Sequence, residues 1–109
     1  MGPLVSQKQH ERVLGYIEAG KRDGASVVAG GDAPTGEGYF LNPTILIDVR
    51  PEMSVVREEI FGPVVMVQRF DDLDAVAREA NATRYGLAAS VWTRDLSGMH
   101  KLAAKLKAG

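Results

Sequence analysis

The stretch Arg57-Glu58-Glu59-Ile60-Phe61-Gly62-Pro63-Val64 holds the residue types best suited to binding chemistry. Two carboxylates stand directly before an aromatic ring, a Gly-Pro pair and an apolar run. Gly62 lets a backbone or a ligand approach closely, and Pro63 fixes φ at the entry to the run. A carboxylate here could accept hydrogen bonds from a sugar diol, as an acidic residue does on the ribose in dinucleotide-binding folds. Phe61 could pack on another flat ring with little entropy to lose. The competing reading makes Glu58 and Glu59 a solvated pair and Phe61 a core residue. Sequence physics alone favours that competing reading, because aromatic rings are mostly buried for packing.

Other candidate sites carry less. The only histidines, His10 and His100, fall on different predicted helices, and there is no cysteine. A metal site needs at least three converging ligands, so His10 reads as a solvated helix residue and His100 as a helix-flank residue. The loop from Gly30 to Gly38 holds four glycines and one proline. It has neither a Gly-x-Gly-x-x-Gly opening a helix nor a Gly-Lys-Ser/Thr ending, so backbone turning between two strands explains it better than phosphate binding.

Composition narrows the class further. A chain of 109 residues has the size of one domain, and 45% hydrophobic with 25% charged residues excludes disorder. The net charge of −1, with no basic stripe among aromatics, argues against nucleic acid as a partner. No apolar run approaches the roughly 20 residues of a membrane helix, so no membrane partner is expected. The N-terminus lacks the basic and apolar regions of a signal peptide. Together with the lack of cysteine, this fits a cytoplasmic protein.

These residues need elements to position them. Ser6 and Gln9 have the spacing of a capping box, and Val13, Leu14 and Ile17 form an apolar stripe behind it. Lys21 and Arg22 suit the last turn, and Gly24 suits a left-handed cap. Ser26 to Ala29 reads as a short strand. Tyr39 to Val49 reads as extended, at a sheet edge or irregular around Pro43. Val64 to Val67 reads as a strand covered on both faces. Asp71 or Asp72 caps a helix carrying Leu73, Val76, Ala77 and Ala80, and Asn81 to Gly86 leaves it. Leu87 to Trp92 reads as a further strand. Thr93 or Asp95 caps a last helix with Met99, Leu102, Ala103 and Leu106 on one face, Lys105 and Lys107 in its last turn and Gly109 just past it. The fold class is therefore α/β, and the alternation implies a partial parallel sheet of βα repeats.

The stretch Glu58-Glu59-Ile60-Phe61-Gly62-Pro63 resembles a motif of the aldehyde dehydrogenases. Nearly the whole chain follows that family in order. Gly2-Pro3-Leu4-Val5-Ser6, Arg12-Val13-Leu14-Gly15-Tyr16-Ile17, Gly24-Ala25, Gly30-Gly31, Gly38-Tyr39-Phe40, Pro43-Thr44, Ala80-Asn81, Tyr85-Gly86-Leu87-Ala88-Ala89 and Leu106-Lys107-Ala108-Gly109 all match. So many blocks at the right separations reverse the preference for a packing role at Glu59 and Phe61. Val91-Trp92-Thr93-Arg94-Asp95-Leu96 with Met99-His100 is similar to bacterial arylacetaldehyde or phenylacetaldehyde dehydrogenases.

The resemblance implies oxidation of an aldehyde to a carboxylic acid with NAD or NADP. In such enzymes a cysteine thiolate adds to the carbonyl, hydride leaves for the nicotinamide, and a glutamate-activated water cleaves the thioester. It implies that Glu59 binds the nicotinamide ribose and that Phe61 lies beside the nicotinamide. It implies that Gln9 and Arg12 reach the adenosine ribose, with arginine standing where lysine is usual. It also implies that residues 1–109 are a middle slice of the catalytic domain. The Rossmann coenzyme domain, general base and nucleophile would precede it, and the oligomerisation arm would follow. Met1 would then be an internal methionine. The chain alone is expected to be catalytically silent, with a weak nucleotide-binding module and an oligomeric structural fragment as alternatives. Exposed sheet edges and apolar faces lead us to expect a homo-oligomer.

Overall fold

The computed structural model describes residues 1–109, which divide into two compact units, Met1–Gln68 and Arg69–Gly109. The first unit opens with helix α1, Gln7–Arg22. Ser6 caps it as expected, its hydroxyl accepting from the Gln9 N–H at 3.2 Å. The other half of the predicted capping box is not made. The Gln9 amide points away from Ser6 to a chain segment 51 and 52 residues further on. At the far end Gly24, at φ +103°, and Ala25 donate back to the carbonyls of Lys21 and Gly20, the double closure of a left-handed cap.

Strand β1, Ser26–Ala29, has the bounds the sequence predicts, whereas β2 is only Thr44–Ile47 and β3 only Val64–Met66. The sheet order is β1-β2-β3, so β2 is central. This corrects the edge placement suggested by Pro43. The proline lies one residue before the ladder begins and therefore removes no sheet hydrogen bond. β1 runs antiparallel to β2 with an irregularity between Val27 and Ala29, and β2 pairs with β3 in parallel. The α/β class holds, with a sheet that is parallel in one pair and antiparallel in the other.

Between β2 and β3 lies helix α2, Ser54–Arg57, which the sequence reading missed. Four residues are too few to show a period, and its N-cap, Met53, makes no side-chain cap bond. The core packs one face of the sheet against the helices. Val13 and Ile17 of α1 meet Leu46 of β2 and Val55 of α2, with Leu41, Val49, Met53 and Ile60 around them. The opposite face is open. Val65 is 56% exposed, with Ile45 beside it in register, which corrects the expectation that β3 is covered on both sides.

The second unit holds α3, Leu73–Ala80, and α4, Leu96–Ala103. Of the two candidate caps for α3, Asp72 serves. Its Oδ1 accepts from the N–H groups of Asp74 and Ala75, and those bonds, the one from Ala75 first, hold its carboxyl below the usual aspartate range. Asp95 caps α4, while the Thr93 hydroxyl accepts from the Asp95 N–H one step earlier. The Asn81 side chain ties the unit together, donating to the Lys105 carbonyl and accepting from the Lys107 N–H, each at 2.7 Å. Lys105 pairs with Asp74. Two expectations fail in this unit. Leu87 to Trp92 forms no strand, and α4 ends at Ala103, so Lys105 and Lys107 lie beyond it. A strand needs a partner ladder. No backbone here bonds to residues 87–92, and Trp92 stands 91% exposed.

Candidate functional site

The turn from Glu58 to Pro63 leaves α2 and enters β3. Glu58 is extended, at φ −109° and ψ 148°, so the helix stops there at once. Ile60 goes inward and is buried in the core. Phe61 follows at φ +55°, a left-handed conformation that a bulky side chain adopts only under constraint. The Val64 N–H closes on the Gly62 carbonyl at 2.8 Å, and the Thr44 N–H of the neighbouring strand donates to the Pro63 carbonyl at 2.8 Å. The sheet therefore pins the exit of the turn.

Helix α1 pins the entry. A Cβ at Gly62 would lie 2.7 Å from a methyl of Val13, itself fully buried, so only glycine lets turn and helix pack this closely. With Ile60 turned in and Phe61 left-handed, the aromatic ring stands 70% exposed. This is opposite to the core role that sequence physics alone would give it. Glu59 is half-buried on the same corner.

Gln9 and Arg12 sit one turn apart on α1 and face this corner. Gln9 Nε2 donates to the Ile60 carbonyl at 2.9 Å and to the Phe61 carbonyl at 3.0 Å. Arg12 Nη2 donates to the Glu59 carbonyl at 3.2 Å and to the Tyr16 hydroxyl at 3.3 Å. The Arg12 guanidinium also lies 5.4 Å from the centre of the Tyr16 ring. All four residues singled out from the sequence thus meet at one place. The contacts from Gln9 and Arg12 to the turn backbone had no signal in the sequence, because about fifty residues separate the partners.

This corner has the parts that a nicotinamide riboside would require. Phe61 offers an open ring face, and the Glu59 carboxylate offers acceptors for a diol. With both N–H groups of its amide engaged, Gln9 keeps Oε1 as an acceptor for a further hydroxyl.

The remaining candidates fall elsewhere. His10 is not simply solvated, since its Nε2 lies 2.9 Å from the Phe40 carbonyl, and His100 lies within α4. No group of three or more His, Cys, Asp or Glu residues could hold a metal ion. The Gly30–Gly38 loop is a turn between strands, with Gly30, Gly31, Gly36 and Gly38 all at positive φ. No helix is long and apolar enough to cross a membrane.

The chain is 50% identical over 112 residues to the betaine aldehyde dehydrogenase of Rhizobium leguminosarum bv. trifolii (strain WSM2304), covering 100% of this chain and 23% of that protein. Among solved structures, an NAD+ complex of an aldehyde dehydrogenase from Bacillus cereus superposes with a TM-score of 0.95 at 56% identity, over 100% of this chain and 22% of that one. A Mycobacterium tuberculosis aldehyde dehydrogenase complexed with NAD+ gives a TM-score of 0.94 at 42% identity, over 100% and 23%. The chain therefore spans less than a quarter of the relatives it matches. The model of the aldehyde dehydrogenase family matches residues 1–109, which is every residue of the chain, and with these relatives it shows that the protein belongs to that family.

Proposed function

We propose that this chain is the coenzyme-facing corner of a longer NAD-dependent aldehyde dehydrogenase, a slice of its catalytic domain that holds the nicotinamide riboside and takes no covalent part in the chemistry. The observation that carries this reading is the convergence of Glu59, Phe61, Gln9 and Arg12 on one turn, with the Phe61 ring presented outward. A bound nicotinamide would supply the hydride acceptor. The Glu59 carboxylate would accept from the ribose hydroxyls, the Phe61 ring would limit where the nicotinamide can lie, and Gln9 Oε1 and Arg12 would serve the hydroxyls of the second ribose. NAD rather than NADP is favoured because two of the similar structures carry NAD+.

Part of a dinucleotide site makes few contacts, so affinity should be about millimolar, near −4 kcal/mol. Titrating the isotope-labelled chain with NAD+ should move the backbone amide signals of Glu59 and Phe61. Nicotinamide mononucleotide should move them too, and further than AMP does. No movement at either residue at about 10 mM NAD+, well above that affinity, would remove the proposal.

The open sheet face supports a second part of this reading. Ile45, Val65 and Val67 expose contiguous apolar surface beside the free edge of β3. We expect copies of the chain to associate through it as a homodimer or larger assembly. Sedimentation at high protein concentration checks this, and a sharp monomer there counts against it.

A further inference from the structure

We infer that Gln9 and Arg12 form a clamp that holds the Glu59–Phe61 turn in its left-handed form, and so act on a nicotinamide riboside through the turn, apart from their own contacts with the second ribose. The inference rests on the site just proposed for Glu59 and Phe61.

Three successive carbonyls, those of Glu59, Ile60 and Phe61, take no hydrogen bond from any backbone N–H. All three are met instead from α1, two by Gln9 and one by Arg12. Backbone carbonyls rarely go without partners, so a conformation that turns three of them to one side persists only where donors are waiting. Phe61 at φ +55° has a conformational cost that something nearby must offset. The two bonds from the Gln9 amide flank the strained residue, one at its own carbonyl and one at the carbonyl before it. They reward the left-handed form directly, since rotating φ of Phe61 back to the ordinary range would swing the Ile60 carbonyl off the amide. The clamp has a firm base. Gln9 and Arg12 sit in the first turns of a helix anchored by Val13 and Ile17, both fully buried. Arg12 is braced by the Tyr16 ring and hydroxyl. A planar fork held in this way loses little rotamer freedom when it donates.

Two consequences separate a clamp from a simple packing role. First, the clamp and the strain should be coupled. Gln9→Met keeps the shape of the side chain and removes both donors. It should raise the unfolding equilibrium constant about tenfold, the effect of one to two ordinary hydrogen bonds. In a Phe61→Gly background, where the left-handed form has no steric cost, the same change should cost at least as much stability and yet leave the turn signals of Ile60 and Gly62 in place. Second, the donors should matter more than the acceptor. Gln9→Lys keeps a donor for the turn and removes Oε1. Donation alone should therefore return the turn and the coenzyme response at Phe61, while the contact of Oε1 with the second ribose stays lost.

The experiment uses the 109-residue chain and reads the carbon and amide signals of Ile60, Phe61 and Gly62, first without ligand and then with NAD+. The expected result is displaced Phe61 signals in Gln9→Met, near-native signals in Gln9→Lys, and an NAD+ response at Phe61 that is lost in the first variant and recovered in the second. Equal displacement of the Ile60 and Gly62 signals by Gln9→Met in both backgrounds, or unchanged turn signals in Gln9→Met, would overturn the clamp. So would a turn restored by lysine with the coenzyme response still missing, which would leave Gln9 acting by contact alone. If Gln9→Met does not fold, the unaltered chain still decides. The Gln9 side-chain amide protons should exchange with water at least about tenfold more slowly than those of exposed Gln68, and equal exchange would overturn the clamp. The ligand-free measurements are independent of NAD+, so a silent titration with an intact clamp would sink only the nucleotide site.

Discussion

Alanine at Gly30 is expected to destabilise the chain by about 3–5 kcal/mol, a large share of the roughly 5–15 kcal/mol that holds a domain of this size. Gly30 stands at φ +64°, where a Cβ would lie 2.2 Å from the Pro43 carbonyl oxygen and 2.9 Å from Thr44 Oγ1. The left-handed backbone alone would cost alanine about 1 kcal/mol. The collision is the larger effect, because its target cannot step aside. Pro43 leads directly into central strand β2, and the next residue is fixed from two sides. The Thr44 N–H is held by the Pro63 carbonyl at 2.8 Å, and the Thr44 hydroxyl accepts from the Gly31 N–H at 2.9 Å. Moving Pro43 would disturb the buried start of β2 and, through Pro63, the turn that presents Phe61.

Two other glycines serve as controls in the same chemical unfolding experiment. Gly36 is also at positive φ, at +135°, with nothing within 4 Å, so its alanine variant has the backbone cost without the collision. Gly15 lies exposed in the middle of α1 with open space around it, and alanine there should stabilise by about 0.5–1 kcal/mol. Equal losses at Gly30 and Gly36 would show that the contact with Pro43 is not what matters.

The same positions show how far the sequence could be read. Local signals were legible wherever the chemistry is local. Ser6 and Asp72 cap helices because a short polar side chain can reach the next free N–H groups, and that needs no knowledge of the rest of the fold. The bounds of β1 and the stripe of Val13 and Ile17 followed from the same kind of short-range pattern. What was misread depends on partners far along the chain. Gln9 has the spacing of a capping box, yet two carbonyls of a distant turn compete for its amide and win. Residues 87–92 have the composition of a strand, but composition cannot supply the ladder that would make them one. For Phe61, the default of burying aromatic rings points the wrong way. A core residue on each side of the turn, Ile60 within it and Val13 against Gly62, takes the inward positions and leaves the ring outside. Only the order of residues around Gly62-Pro63, read as a family pattern, marked Glu59 and Phe61 as more than packing.

With NAD+ and an aldehyde supplied, the 109-residue chain is expected to form no NADH above the uncatalysed rate. Enzymes of this kind gain at least about a millionfold over the reaction in water, and in this family the gain runs through a covalent thiol adduct that no residue here can make. A hydroxyl could replace the thiol only beside a base able to take its proton. Ser6 is occupied at the helix cap, and the Thr44 hydroxyl donates to the Asn42 carbonyl in a buried position. Ser26 donates to Asp48 Oδ2 at 2.7 Å, with no histidine between the hydroxyl and the carboxylate. The His10 ring is engaged with the Phe40 carbonyl and not with any hydroxyl. Binding and chemistry should therefore separate completely. NAD+ should move the Glu59 and Phe61 signals of a chain that never reduces it, because a site can orient a coenzyme with a carboxylate and a ring while the hydride must come from an aldehyde carbon that only a thiol adduct readies for transfer. The assay is the absorbance of reduced nicotinamide with purified chain and several aldehydes. Turnover that survives rigorous removal of contaminating enzyme and disappears in Glu59→Gln would mean that these residues carry a nucleophile of their own.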